Sequence, residues 1–328
     1  MSTLLLDWFD KNGRDLPWRV KGGAHPNPYV ILVSELMLQQ TTVKTVIPYF
    51  ERFMKRFPSV DVLAQASLEE VYFYWQGLGY YTRARSLHET ARMIMEKFGG
   101  VFPSDKKDVL QLKGIGPYTV ASFLSLAFNQ PEAVVDGNVV RIMCRMYDWQ
   151  DPVEKLMPII REKAQALTNR ERASDYASAI MDLGAMICTP KNPQCLICPW
   201  QKYCLSCGKD NLEKIPNKTK LEKKEKSGFV YVIKNKKQEI FILKRTEKGL
   251  LSGLYELPWT EVDGLFEASK KQDLKKSVTH VFSHFKLTLK LYEVHSDEVW
   301  QDGFFVARDE LKNYAFSTLM KKVLALVK

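Results

Sequence analysis

Long hydrophobic runs are missing from this chain. The longest, such as Val120 to Phe128, fall well short of the ~18 to 20 apolar residues that a membrane helix needs, so no membrane span or membrane partner is expected. The N-terminal segment lacks a basic stretch and carries acids at Asp7 and Asp10, which argues against an export signal and for a cytoplasmic protein. Histidine is scarce: the five present show no metal-ligand spacing. Cysteine is also sparse, with six residues, and four of them crowd between Cys188 and Cys204. In a chain expected to stay in the cytoplasm, that crowding excludes a disulfide framework and points to a metal site. Internal repeats and low-complexity tracts are absent, so solenoid and fibrous architectures are excluded.

What is present is an ordinary globular composition, 45% hydrophobic and 26% charged over 328 residues, enough for about two domains. The net charge of +10 favours a polyanionic partner, but it is spread as +3, +3 and +4 over residues 1–208, 209–227 and 228–328. Residues 1–208 read as a helical domain, with apolar residues at three- to four-residue spacing in Val60 to Trp75, Arg83 to Phe98, Lys107 to Leu112, Pro117 to Phe128, Val139 to Trp149, Leu156 to Leu167 and Tyr176 to Ile187. Residues 209–227 turn to Lys, Glu, Asn and Pro and read as a charged linker. Residues 228–328 read as an α+β module: strands at Phe229 to Lys234, Glu239 to Arg245 and Val278 to Val294, helices near Glu267 to Lys276 and Ser317 to Val327.

The cysteine spacing is Cys188-x6-Cys195-x2-Cys198-x5-Cys204, entered from a helix and carried on a loop containing Pro190, Pro193 and Pro199. An all-cysteine, four-ligand site admits zinc or one [4Fe-4S] cluster. Zinc ribbons usually pair two short knuckles on hairpins, so spacings of 6, 2 and 5 after a helix favour the cluster. Lys191, inside the loop, offers a cation to a phosphate.

Leu112-Lys113-Gly114-Ile115-Gly116-Pro117-Tyr118-Thr119 separates two predicted helices, and Pro117 suits the first turn of the second. With Gly114 and Gly116 the turn exposes N–H groups beside a helix N-terminus, which can hold a DNA backbone phosphate without reading sequence. Two acids stand out. Asp136, in Val135-Asp136-Gly137-Asn138-Val139, precedes a helix and is either a cap or a functional carboxylate. Glu35 is the one charge in Pro28 to Gln40, a helix apolar on nearly every side. A carboxyl so placed is either salt-bridged or carries a raised pKa suited to a general acid.

In this order, Ser34 to Thr41, Leu112 to Thr119, Asp136 to Val139 and the four-cysteine loop resemble the adenine DNA glycosylases of the MutY type. Leu250 to Pro258 and His280 to His284 resemble that family's C-terminal 8-oxoguanine recognition domain. The resemblance implies an all-α helix-hairpin-helix glycosylase core with a [4Fe-4S] loop, followed by a Nudix-like α+β domain. It implies an enzyme that flips adenine out of double-stranded DNA, where it faces 8-oxoguanine or guanine, and cuts its N-glycosidic bond. By resemblance, Trp18 and Arg19 line the adenine pocket. Gln40, Thr41, Leu78 and Tyr80 surround the lesion pair, and Phe282, Ser283 and His284 meet the oxidised guanine. Glu35 would protonate adenine N7. Asp136 would stabilise the oxocarbenium ion or trap it covalently, supported by Asn138 and Tyr118.

Endonuclease III-like relatives carry a lysine where Tyr118 stands, and that amine forms the Schiff base for strand cleavage. A monofunctional, monomeric glycosylase is therefore expected, in preference to an endonuclease III-like glycosylase/lyase or a noncatalytic iron-sulfur protein that binds lesions. The C-terminal module lacks the Arg-Glu-x-x-Glu-Glu run of Nudix hydrolases, which argues against triphosphate hydrolysis. Two departures flank the expected adenine pocket: the long loop Lys21 to His25, and Ser178 where relatives more often carry Gln or Glu.

Overall fold

The computed structural model describes residues 1–20, 25–217, 223–247, 249–299 and 303–327. The chain forms two compact units, Met1–Ala64 with Glu89–Lys220, and Gln65–His88 with Leu221–Lys328. The helices described are α1 (Ser2–Asn12), α2 (Pro28–Leu38), α3 (Val43–Arg56), α4 (Val60–Gln65), α5 (Leu68–Trp75), α6 (Thr82–Phe98), α7 (Lys106–Gln111), α8 (Pro117–Phe128), α9 (Gly137–Met146), α10 (Val153–Leu167), α11 (Ala173–Asp182) and α12 (Thr318–Leu326). None is long and apolar enough to cross a membrane.

In the first unit, local chemistry sets the helix ends that matter for function. Asn27 caps α2 by accepting the Tyr29 N–H at 2.9 Å, with Pro28 in the first turn, and the helix stops before Gln40 turns to a φ of 61°. Gly116 caps α8 ahead of Pro117, and α8 ends where Asn129 adopts the left-handed conformation. Asp136 caps α9. Amphipathic α3 buries Val46, Phe50 and Phe53, one stripe of its surface. By contrast α2 and α8, buried along most of their length, pack on each other, and α8 also meets α11. A second cluster joins Leu5 and Leu6 of α1 to Val139, Ile142 and Met143 of α9, Ile160, Ile180, Trp200 and Ile215. After α11 the chain widens into a π turn, Leu183–Ile187, and enters the cysteine loop.

The second unit holds a mixed sheet of β1 (Lys224–Lys234), β2 (Ile240–Lys244), β3 (Tyr255–Glu256), β4 (Trp259–Thr260), β5 (Lys271–Val281), β6 (Phe285–His295) and β7 (Gly303–Val306). The order β3-β2-β1-β6-β5 runs antiparallel except for β1 and β6, which pair in parallel from Lys224 opposite Phe285 to Lys234 opposite His295. Leu287, Leu289 and Leu291 alternate inward and meet Leu319, Met320 and Val323 of α12.

Four expectations from the sequence are corrected. Residues 65–88 belong with 221–328, not with the helical unit. Glu69 of α5 takes Lys244 Nζ at 2.6 Å and the Tyr255 hydroxyl at 2.9 Å, Arg85 donates to Ser252 Oγ at 3.2 Å, and the Tyr72 ring sits so close to Gly253 that a Cβ there would lie 2.6 Å from it. Residues 267–276, a local run of helix formers, form a 3₁₀ turn and then β5, because pairing with β6 overrides propensity. The expected linker 209–227 is partly structured: Ile215 is buried in the first unit, and β1 starts at Lys224 with exposed polar residues that pair with β6 through the backbone and through the Glu225–Lys286 ion pair. The apolar run Val60 to Trp75 also forms two helices, α4 and α5, where one is expected.

Candidate active site

A cleft of about 1500 Å³ in the first unit is lined by Trp18, Arg19, Glu35, Gln40, Thr41, Tyr118, Asp136, Asn138 and Ser178, among others. Glu35 sits mid-way along α2, 7% exposed. Burial pushes its carboxyl up to about 7; the hydrogen bond from Ser122 Oγ opposes this, Asp136 adds repulsion and Arg19 weakly attracts. Asp136 lies at the other helix end, before α9. Its Oδ1 accepts the Val139 N–H at 2.7 Å and its Oδ2 accepts Asn138 Nδ2 at 2.7 Å. These donors and the positive end of α9 suit a carboxylate anion. Tyr118 lines the same cleft, and its hydroxyl is held above its ordinary range by lost hydration and then by repulsion from Glu35 and Asp136.

Asn138 is itself fixed. Its Oδ1 accepts Arg141 Nη2 at 2.9 Å, and Arg141 also donates to the carbonyls of Gly184 and Cys188, both at 2.7 Å. A Cβ at Gly184 would fall 2.5 Å from Asn138 Cβ, so only glycine fits beside it.

Trp18 is buried edge-on against Phe50, ring centres 5.2 Å apart. Arg19 makes a bidentate pair with Asp182, at 2.8 and 2.9 Å. Arg14 reaches the same carboxylate through its backbone N–H and Nε, both at 2.8 Å. Asp182 is wholly buried: burial alone would raise its pKa, but Arg19 and Arg14 hold it below the usual carboxylate range. Asp182, Ser122 and Arg141 escaped the sequence reading. The signal for Asp182 was there, a lone acid in the apolar run Tyr176 to Ile187, the same logic that singled out Glu35. Of the two departures, Ser178 lines the cleft, whereas Lys21 to Ala24 lie outside the described residues.

The remaining expected site residues do not line this cleft. Gly114, with φ of 71°, and Gly116 form an exposed turn before α8, anchored by Thr90 Oγ1 on the Lys113 carbonyl at 3.1 Å. In the second unit Leu78 is buried, while exposed Tyr80 is hydrogen-bonded to Ser283. Arg83 braces that loop, lying over the Tyr80 ring and donating to the carbonyls of Leu78 and Gly79. Phe282 N–H closes the β5–β6 turn on the Phe285 carbonyl at 2.8 Å, leaving Ser283 and His284 exposed at its tip.

Cys188, Cys195, Cys198 and Cys204 line one small cavity with Cys207. Burial pushes the Cys198 thiol up to about 11, with repulsion from Cys188, Cys204 and Cys195 adding to it, so a metal must displace the proton for this sulfur to ligate at neutral pH. Arg145 grips the loop, donating to the carbonyls of Thr189 at 2.7 Å and Pro190 at 3.0 Å.

A helical core with a glycine hairpin, a buried acid opposite a capped carboxylate and a cysteine loop define a base-excision glycosylase. Residues 33–166 match the HhH-GPD superfamily of base excision DNA repair proteins, residues 188–204 the iron-sulfur binding domain of endonuclease III, and residues 229–326 the NUDIX domain. The chain is 33% identical over 308 residues to an adenine DNA glycosylase of Buchnera aphidicola subsp. Baizongia pistaciae, covering 92% of this chain and 87% of the relative. It is 37% identical over 301 residues to that of Buchnera aphidicola subsp. Schizaphis graminum, covering 87% and 85%. A thermostable thymine-DNA glycosylase superposes with a TM-score of 0.55 at 30% identity, over 62% of this chain and 94% of that one. The chain belongs to the adenine DNA glycosylase family, hydrolases of N-glycosyl bonds in DNA. Its cysteine loop is an iron-sulfur binding loop.

Proposed function

We propose that this chain removes adenine paired with 8-oxoguanine or guanine in double-stranded DNA, acting as a monomer in the cytoplasm and leaving an abasic site. The observation that carries this reading is one cleft holding two carboxyls in opposite settings, Glu35 buried with its pKa raised to about 7 and Asp136 accepting two N–H bonds at the start of α9. Cleavage of the bond leaves negative charge on the base and positive charge on the sugar. Glu35 gives its proton to adenine N7, and Asp136 stabilises the oxocarbenium ion or traps it until water completes hydrolysis. Tyr118 has no amine for a Schiff base, which supports a glycosylase without strand cleavage. Trp18 and Arg19 line the base pocket, Gln40 and Thr41 the approach to it, and Gly114 and Gly116 hold a backbone phosphate. The Tyr80 and Ser283 pair, flanked by Leu78, Phe282 and His284, supports recognition of the oxidised guanine by the second unit.

Cys188, Cys195, Cys198 and Cys204 would hold one [4Fe-4S] cluster. These four cysteines line one cavity, and a set of four thiols suits such a cluster. The cluster, when bound, supplies a rigid crosslink for the loop, which orders Lys191 toward DNA phosphate.

The test is single-turnover adenine release from a duplex with one A opposite 8-oxoguanine, scored with and without alkali, beside Asp136→Asn. Nicks appearing only after alkali, and lost in the variant, are expected. Strand cleavage without alkali, trapped by borohydride, would overturn the monofunctional reading, and absence of release by cluster-loaded protein would overturn the substrate.

A further inference from the structure

Cys207 is the one cysteine beside the metal loop that the four-ligand pattern leaves over. It follows Cys204 at the spacing Cys204-Leu205-Ser206-Cys207, which repeats Cys195-Leu196-Ile197-Cys198. The two segments also share a backbone turn: the Cys198 N–H donates to the Cys195 carbonyl at 3.2 Å, and the Cys207 N–H to the Cys204 carbonyl at 3.2 Å. Each follows a 3₁₀ turn or forms part of one. Cys207 is a free thiol, half-buried, and lines the same cavity as the other four.

The second turn is not a loose tail. Ser206 is buried and donates to Asp148 Oδ1 at 2.8 Å, while Lys209 pairs with Asp148 Oδ2 at 2.6 Å, so the segment carrying Cys207 is tied to the end of α9 on both sides. The Leu205 N–H adds a bond to the Met146 carbonyl at 2.9 Å. A thiol held on such a turn, with the cavity before it, is placed to meet a metal rather than solvent.

We propose that Cys207 is a reserve ligand of the iron-sulfur cluster, able to replace Cys204 on its iron. The exchange is a ligand swap without electron transfer. The Cys207 thiol gives its proton to water and its sulfur bonds to iron, the Cys204 sulfur–iron bond breaks, and the freed Cys204 thiolate takes a proton back. A three-coordinated corner, the point at which such clusters are lost, is thereby closed from within the chain. The inference rests on the four-cysteine cluster reading given above.

The experiment compares iron and sulfide per chain, and the visible absorbance of the cluster, in wild-type protein, C204S, C207S and C204S/C207S purified without oxygen. Wild-type protein lacking iron and sulfide would fail the underlying cluster reading. With a loaded wild type, C204S is expected to retain most of its cluster and the double variant to lose it. Equal loss in C204S and C204S/C207S overturns the proposal. Should C204S fail to yield folded protein, the rate of iron release from wild type and C207S to an excess of chelator decides. Release several-fold faster from C207S supports a reserve ligand, and equal rates overturn it.

Discussion

The interior of α2 and the N-terminus of α9 each present a carboxyl to the same cleft, and they treat it in opposite ways. In α2 the surrounding residues are Ile31 to Met37, nearly all apolar, and one hydroxyl reaches Glu35, so the neutral acid is favoured. At α9 two N–H donors converge on Asp136 at the positive end of the helix. Position along a helix, rather than residue type, separates the two settings. A glycosylase working as proposed needs both at once, and α2 and α9 bring them to one cleft.

Removing the anion should hurt most. Asp136→Asn keeps a side chain that can cap α9, so the fold should hold while adenine release slows on the order of 10³-fold or more. A loss under about tenfold in single-turnover assays would mean Asp136 is merely a cap. Glu35→Gln should cost roughly 10² to 10⁴ in rate. In the wild type the donor is protonated below its pKa of about 7, so release should fall as pH rises through about 7, and this limb should vanish in Glu35→Gln. A limb that survives would assign the titration to another group.

Asp182 tests the same contrast at a structural anion. Its depressed pKa means that its contribution is present above the unfolded value of about 3.9 and lost as pH falls through the lower folded value. Asp182→Asn leaves Arg14 and Arg19 facing a neutral amide, and should cost about 3 to 5 kcal/mol at neutral pH in denaturant unfolding. That difference should shrink in acid. Ser122→Ala should act least: losing a hydrogen bond worth about 1 kcal/mol to the ionised form of Glu35 moves the pH limb upward by under about one unit. A downward shift would contradict the geometry.

Much of the helical unit was legible. Pro28, Gly116-Pro117 and Asp136 announce helix starts because the first turn of a helix is local chemistry, and a lone acid in an apolar helix is visible in any sequence. Long-range partners were not. Nothing near Ser122 says that it meets Glu35, 87 residues away, and nothing near Glu69 says that it meets Lys244. The start of β1 was hidden because Lys224 to Ser227 are exposed polar residues whose partners, through backbone bonds and the Glu225–Lys286 ion pair, lie 61 residues away. Residues 267–276 misled for the converse reason, since their helical preference is real and a neighbouring strand outweighs it.

Arg145 gathers more than the entrance of the cysteine loop. Its Nε also donates to the carbonyls of Leu212 at 3.1 Å and Ile215 at 3.0 Å, so one guanidinium bridges chain that leaves α11 and chain that returns at the far end. It closes residues 189–215 into a ring as a disulfide would, but with bonds that no reductant can cut.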